Sequence, residues 1–297
     1  MVINRVVVTG LGIVSPVGIN TDTSWEALVS GKSGVDYISS FDSESFETHI
    51  AAEVKNFDPN DFLDKKEARR MDRFVQFAAV ASQEAINNAN LNINEENPER
   101  VSVMIGSGIG GILTLSQELQ VMLEKGATKV NPFLVPMMLG DMASGRVSMI
   151  VGAKGPNFSA ISSCATGADT IAEASSLIRK GEIDVAITGG AEAPICPIGI
   201  AGFNACNALS KNNMEPDKAS RPFDAKRDGF VIGEGSSILV LESLDHALKR
   251  GSKPLAELCG HGATADAYHI TQPAPGGEGG ARAINKALRD SGVAKDE

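Results

Sequence analysis

Much of what would send a chain to a membrane, an oxidising compartment or a nucleic acid is missing from these 297 residues. The four cysteines, Cys164, Cys196, Cys206 and Cys259, form no CxxC pair and are too sparse for a disulfide framework. Reduced thiols and no structural metal are therefore expected. No apolar run exceeds the length of a strand, and Arg5 interrupts the N-terminal one. Neither a membrane span nor a secretory signal is supported, and the expectation is a cytoplasmic protein. Basic charge is in deficit, 27 Lys and Arg against 37 Asp and Glu for a net charge of −10, which argues against nucleic acid as the main partner. Histidine is scarce as well, confined to His49, His246, His261 and His269. Apolar and small residues are plentiful instead: 42% of the chain is hydrophobic and 31 residues are glycine, enough for one large core or two coupled ones.

The glycines punctuate the chain. Short β-rich runs end in one at Arg5 to Thr9 before Gly10, Val101 to Ile105 before Gly106, and Val185 to Thr188 before Gly189. These runs alternate with helical patterns, which reads as parallel α/β. One helix is predicted near Thr23 to Ser30, with Thr23 and Glu26 spaced as a capping box. A longer one is predicted from Lys65 to Asn88, with Met71, Phe74, Val75, Ala78, Ala81 and Ala85 on one face and Lys66, Arg69, Arg70 and Arg73 on another. The loop GSGIGG at Gly106 to Gly111 satisfies GxGxxG after a strand. A dinucleotide fold would also need an acidic residue closing the next strand, and a helical stretch follows here, so no nucleotide cofactor is implied.

Cys164 lies in ISSCATGADT, between a strand-like run, Asn157 to Ser162, and a helix that continues to about Lys180 before Gly181. A cysteine on the first turn of a helix faces unpaired N–H groups and the positive dipole end, which favour the nucleophilic thiolate. Small Ala165, Thr166 and Gly167 leave room beside it for a bulky thioester, as at a nucleophile elbow. The competing reading is a buried structural thiol. Further on, Arg221, Asp224, Arg227 and Asp228 alternate in sign ahead of the apolar run Ile238 to Leu241; such a cluster holds a loop in place more often than it performs chemistry.

Taken in order, VVVTGLGIVSPVG, IGSGIGG, NPFLVP, the cysteine segment, TGGAEA, GFNACNALS, RPFDAKRDGFVIGEG and DAYHITQPAP resemble the β-ketoacyl-acyl carrier protein synthases of fatty acid synthesis, and the elongating type II enzymes most. The departure is Ser162 and Ser163 ahead of the cysteine, where relatives often carry threonine and alanine. The resemblance implies a layered α/β, thiolase-like fold with a mixed sheet and two similar halves. Residues 1–250 would form the first half, and residues 251–297 the opening of the second, with a strand-like Leu255 to Gly260 and a helix near Gly280 to Ser291.

It also implies that Cys164 accepts an acyl group from a carrier-protein thioester before decarboxylative condensation with malonyl-carrier protein, without a cofactor. Ile109 would gate the acyl pocket and Phe203 would wall it. Phe133 and Leu134 would reach the pocket of a second copy in a homodimer. His269 and Thr271 would line the pantetheine channel, and Lys66, Arg69 and Arg70 would receive the acidic acyl carrier protein. The family's two catalytic histidines, in NAHGTxT-type and GHxxGAAG-type motifs, have no counterpart among these residues, and HGAT at His261 precedes DAYH, where neither motif belongs. The expectation is therefore a C-terminally incomplete chain that cannot condense. The alternative is a non-catalytic carrier-binding remnant or a partner like the chain-length subunits of polyketide systems, which usually replace the cysteine. A degradative thiolase would place its nucleophile much earlier and lack the RPFDxxRDGF block.

Overall fold

A computed structural model describes residues 3–294. Its strands are β1 (Val6–Val14), β2 (Asp36–Tyr37), β3 (Ile50–Ala51), β4 (Val101–Gly106), β5 (Val185–Glu192), β6 (Gly235–Ser243) and β7 (Ala256–Glu257). Its helices are α1 (Thr21–Val29), α2 (Lys65–Ala68), α3 (Arg73–Asn88), α4 (Ile112–Lys125), α5 (Leu134–Met138), α6 (Met142–Val151), α7 (Thr166–Arg179), α8 (Pro197–Ala205), α9 (Leu244–Lys249) and α10 (Glu278–Ser291). None of the described helices is long and apolar enough to cross a membrane.

The main sheet runs β4-β5-β6-β1-β7. Its strands are apolar at successive positions because both faces are covered. Val101, Val103 and Ile105 of β4, Val185 and Ile187 of β5, and Ile238 and Val240 of β6 pack under α3 and α6. The intervening Met104, Ala186 and Leu241 pack against Ala174 and Ile178 of α7. Phe74 and Phe77 of α3 are fully buried, each side chain contributing about 1.5–3 kcal/mol by leaving water. A mixed sheet results, since β4 and β5 pair in parallel whereas β5–β6, β6–β1 and β1–β7 pair antiparallel. The parallel reading thus holds for one pair only, because a strand covered on both faces carries no mark of its neighbour's direction.

Helix α3 lies unusually close to β1. A Cβ added to Gly12 would sit 1.9 Å from the carbonyl oxygen of Ala81, and one on Gly10 would sit 2.1 Å from that of Ala85. Only glycine permits this approach. The predicted Lys65–Asn88 helix is in fact two, because Asp72 leaves the helical path and caps α3, its carboxylate accepting from Phe74 N. Likewise α1 is capped by Asn20, whose side chain accepts from Thr23 N, so Thr23 is inside the helix. The run Asn157 to Ser162 makes a single bridge, Asn157 to Val103, rather than a strand.

A buried ionic cluster ties the far end of this packing together. The fully buried carboxylate of Glu242 accepts from Thr9 Oγ1 at 2.5 Å, Arg250 Nη2 at 2.5 Å and His246 Nδ1 at 2.6 Å. Arg250 also donates to the carbonyls of Ala89 and Asn90 at the end of α3, and His246 Nε2 meets Glu96 at 2.9 Å. These donors overcome the cost of burial and hold Glu242 down at about 2. Beyond the cluster the chain thins out. The expected strand Leu255 to Gly260 shortens to β7, flanked by backbone bonds from Leu255 to Val8 and from Leu258 to Val6. The last helix begins at Glu278 and buries Gly279 alone.

Candidate active site

Backbone geometry presents Cys164. Ser163 adopts a left-handed conformation (φ 54°) and opens a 3-10 turn, Ser163–Ala165, that feeds into α7. Cys164 therefore stands one tight turn ahead of the helix rather than on its first turn, and it is exposed. Thr166 braces this elbow from below: its hydroxyl accepts from Ser162 N at 2.9 Å. A Cβ on Gly106 would fall 2.3 Å from the Thr166 methyl, so the end of β4 must be glycine for α7 to start where it does. The structural-thiol reading fits Cys196, which is buried and whose thiol is pushed up by burial, and not Cys164.

Beneath Cys164 opens a cavity of about 740 Å³, built from the ends of β1, β4 and β5, the start of α7, Phe203 of α8 and the segment from Phe230 to Ser237. Its walls are largely apolar, and Phe203 meets Phe230 edge to face at 5.4 Å. The structure thus brings together Cys164, Ile109 and Phe203. The volume suits a flexible, mainly hydrocarbon ligand.

Two carboxylates line this cavity that sequence reasoning assigned no role. Glu192 closes β5; its carboxylate accepts from Ser107 Oγ at 2.8 Å and Gly108 N at 2.7 Å, and burial raises it above the ordinary carboxylate range. Glu234 accepts from Val54 N at 2.9 Å and from Arg73 Nη2 at 2.8 Å. The Arg73 guanidinium lies 4.7 Å over the Phe77 ring. Arg73 thus faces inward, away from the basic patch in which its spacing had placed it. Asp72 joins α3 to α4 by accepting from Thr114 N at 2.9 Å, and burial pushes its carboxyl up. The available signal was a single acid within two residues of glycine after a largely apolar run, as in TGGAEA and VIGEG.

A second hollow, of about 460 Å³, lies among Asp64, Lys65, Lys66, Arg69, Arg70, Asn131 and Phe133. Arg70 stacks over Phe133 at 4.6 Å, and Leu134 N donates to Asn131 O at 3.0 Å. Phe133 and Leu134 accordingly sit with the basic patch and outside the lining of the Cys164 cavity. His269 and Thr271 are exposed, bonded to each other through Thr271 N and His269 Nδ1 at 3.1 Å, and also outside that lining. None of the four histidines lines the cavity: His246 belongs to the Glu242 cluster, His49 bonds Phe46 O, and His261 N donates to Asp290 at 3.0 Å. The 221–228 cluster holds a loop as expected: Arg221 pairs with Asp228 at 2.8 Å, and Asp228 accepts from Ser210 Oγ and Lys211 N.

Comparison with known proteins follows the same lines. The family model of the beta-ketoacyl synthase N-terminal domain matches residues 3–247. A 3-oxoacyl-[acyl-carrier-protein] synthase 2 of Staphylococcus aureus (strain COL) is 51% identical over 289 residues, covering 97% of this chain and 70% of that protein. A beta-ketoacyl synthase from Burkholderia phymatum STM815 superposes with a TM-score of 0.88 at 34% identity, over 98% of this chain and 71% of that one. A ketosynthase solved in complex with its type II PKS acyl-carrier protein superposes with a TM-score of 0.86 at 32% identity, over 99% and 71%.

Proposed function

Because the chain belongs to the beta-ketoacyl synthase family and has its thiolase-like fold, we propose that Cys164 is the acyl-accepting nucleophile of a 3-oxoacyl-acyl carrier protein synthase of fatty acid synthesis. The Cys164 sulfur attacks the carbonyl carbon of a carrier-bound thioester; a new C–S bond forms, the bond to the carrier's sulfur breaks, and that sulfur leaves as a thiol after taking up a proton. The observation that carries this reading is an exposed cysteine in the wall of a largely apolar cavity of about 740 Å³, which Ile109 and Phe203 also line. The acyl chain occupies that cavity.

Condensation is a separate demand. Stabilising the malonyl-derived enolate needs preorganised donors, each worth about 10²–10³ in rate. The family's histidine motifs that supply them are absent from these 297 residues, and none of the four histidines present lines the cavity. This chain alone is accordingly expected to stop at the acyl-enzyme. Residues 1–250 serve as the acyl-accepting half and 251–297 as the opening of the other, with His269 and Thr271 toward the pantetheine. Lys66, Arg69 and Arg70 form the carrier-protein docking face, a cluster of basic side chains on an acidic chain, and Phe133 and Leu134 beside it form part of a homodimer contact.

The test is incubation with acyl-loaded carrier protein, read by intact mass. An acyl adduct that disappears in Cys164→Ala supports the assignment, and no adduct on the unaltered chain overturns it. Adding malonyl-carrier protein should yield no 3-oxoacyl product, and its appearance would refute the block at condensation. Reversing the charges at Lys66, Arg69 and Arg70 should raise KM for carrier-bound substrate about tenfold while sparing small thioesters; equal losses on both would remove the docking role.

A further inference from the structure

Glu192 is a half-buried carboxylate in the wall of the Cys164 cavity, and the transfer of an acyl group to Cys164 makes no use of it. Its bonds all go to one place, the loop from Ser107 to Gly110 between β4 and α4. Oε1 accepts a hydrogen bond from Ser107 Oγ at 2.8 Å and Oε2 accepts one from Gly108 N at 2.7 Å. Ser107 Oγ in turn accepts from Gly110 N at 2.9 Å, so a single carboxylate fixes the loop on both sides of Ile109. The backbone N–H of Ile109 also faces the carboxylate. A Cβ on Gly108 would lie 2.9 Å from Glu192 Oε2, which shows how tightly loop and acid are fitted. Ile109, although a cavity wall, is itself 42% exposed, so its own packing does not fix it.

The geometry points to Glu192 as a positioning residue that holds Ile109 in the cavity and thereby sets the length of acyl chain that Cys164 accepts. This rests on the acyl-accepting reading of Cys164. The carboxylate supplies what a loop of small residues lacks, a charged acceptor for hydroxyl and N–H donors in a setting largely shielded from water, where such bonds are strong. Replacing it with an amide removes the charge and leaves one oxygen where there were two acceptors, which weakens the hold on the loop without emptying the space.

The experiment compares unaltered protein, Glu192→Gln, Ile109→Gly and the double variant with acyl chains of six to sixteen carbons, using two readouts. Transfer from acyl thioesters to Cys164, by intact mass, tests the acyl-accepting reading. Protection of Cys164 from iodoacetamide by non-transferable acyl amides of the same lengths tests the loop whether or not transfer occurs. We expect Glu192→Gln to change the ratio of long-chain to short-chain protection about tenfold, and this effect to vanish on the Ile109→Gly background. A uniform change at every length, or a Glu192→Gln effect that persists undiminished without the Ile109 side chain, would overturn the proposal by reducing Glu192 to general packing. Length-dependent protection without acyl transfer would leave the clasp standing and remove the acyl-accepting reading instead. If Glu192→Gln does not fold, Ser107→Ala removes the hydroxyl's bonds to Glu192 and Gly110 while keeping the carboxylate's bond to Gly108 N, and must shift the same ratio in the same direction; no shift there refutes the clasp.

Discussion

The same local packing occurs twice in this molecule and is supported in only one place. Under α3, a Cβ on Gly12 would strike Ala81 O at 1.9 Å and Ala85 N at 2.8 Å; under α10, one on Gly262 would strike Ala283 O at 2.1 Å and Ala287 N at 2.7 Å. Gly10 and Gly260 repeat the pattern one turn along, against Ala85 O at 2.1 Å and Ser291 N at 2.5 Å. In both, two glycines one residue apart lie directly beneath an alanine-lined helix. Yet α3 buries ten of its sixteen residues between the sheet and α6, whereas α10 buries Gly279 alone and leaves Ile284 65% exposed. Close backbone approach is thus a local property of the sequence, and stability comes from what covers the helix on its other sides.

The sharpest test of this contrast lies at the Glu242 cluster, which pins the end of α3. Glu242→Gln leaves Arg250 and His246 short of their partner inside the protein and should cost about 4 kcal/mol, read as a fall in the urea midpoint. Next comes Gly12→Ala, which forces backbone apart and should cost about 3 kcal/mol. Gly262→Ala makes the matching collision but should leave the main transition within about 0.5 kcal/mol, changing only exchange protection in α10. Equal costs for the two glycines would show that both regions unfold as one unit. Acid sharpens the comparison further: Glu242 falls from an ordinary 4.5 to about 2 in the folded protein. Its contribution is therefore complete above pH 4.5 and lost as pH falls toward 2. His246 is raised above its ordinary 6.5, first by its bond to Glu242. Its contribution is complete below pH 6.5 and fades as pH climbs through the raised value, and His246→Gln should flatten that alkaline limb. The smallest effect belongs to the exposed Arg282–Glu278 pair on α10, where Glu278→Gln should leave the unfolding midpoint unchanged.

The elements that a single sequence revealed are those with a local signature. β4 and β5 start where their apolar runs start, and α7 ends at Arg179 ahead of Gly181, which takes φ 73°. Cys164, Ile109 and Phe203 come together around one cavity although they are separated by up to 94 positions in the chain; the resemblance, not the spacing, linked them. The break at Asp72 was hidden because the apolar spacing runs across it, and only the fold shows its carboxylate spent on Phe74 N and Thr114 N. Glu192 and Glu234 were passed over for a related reason. An acid among glycines at a strand end reads as surface until the donors brought to it from distant segments are known.

Ser163 has a consequence for how this protein can change. It holds a left-handed backbone one residue before Cys164, a posture that a residue with a side chain maintains at about 1–2 kcal/mol. Glycine or asparagine there would relieve the tension and should raise the melting temperature. The same relief would let the sulfur wander from its bearing over the cavity. At position 163, then, a sturdier fold and a steadier sulfur make opposite demands on one backbone angle.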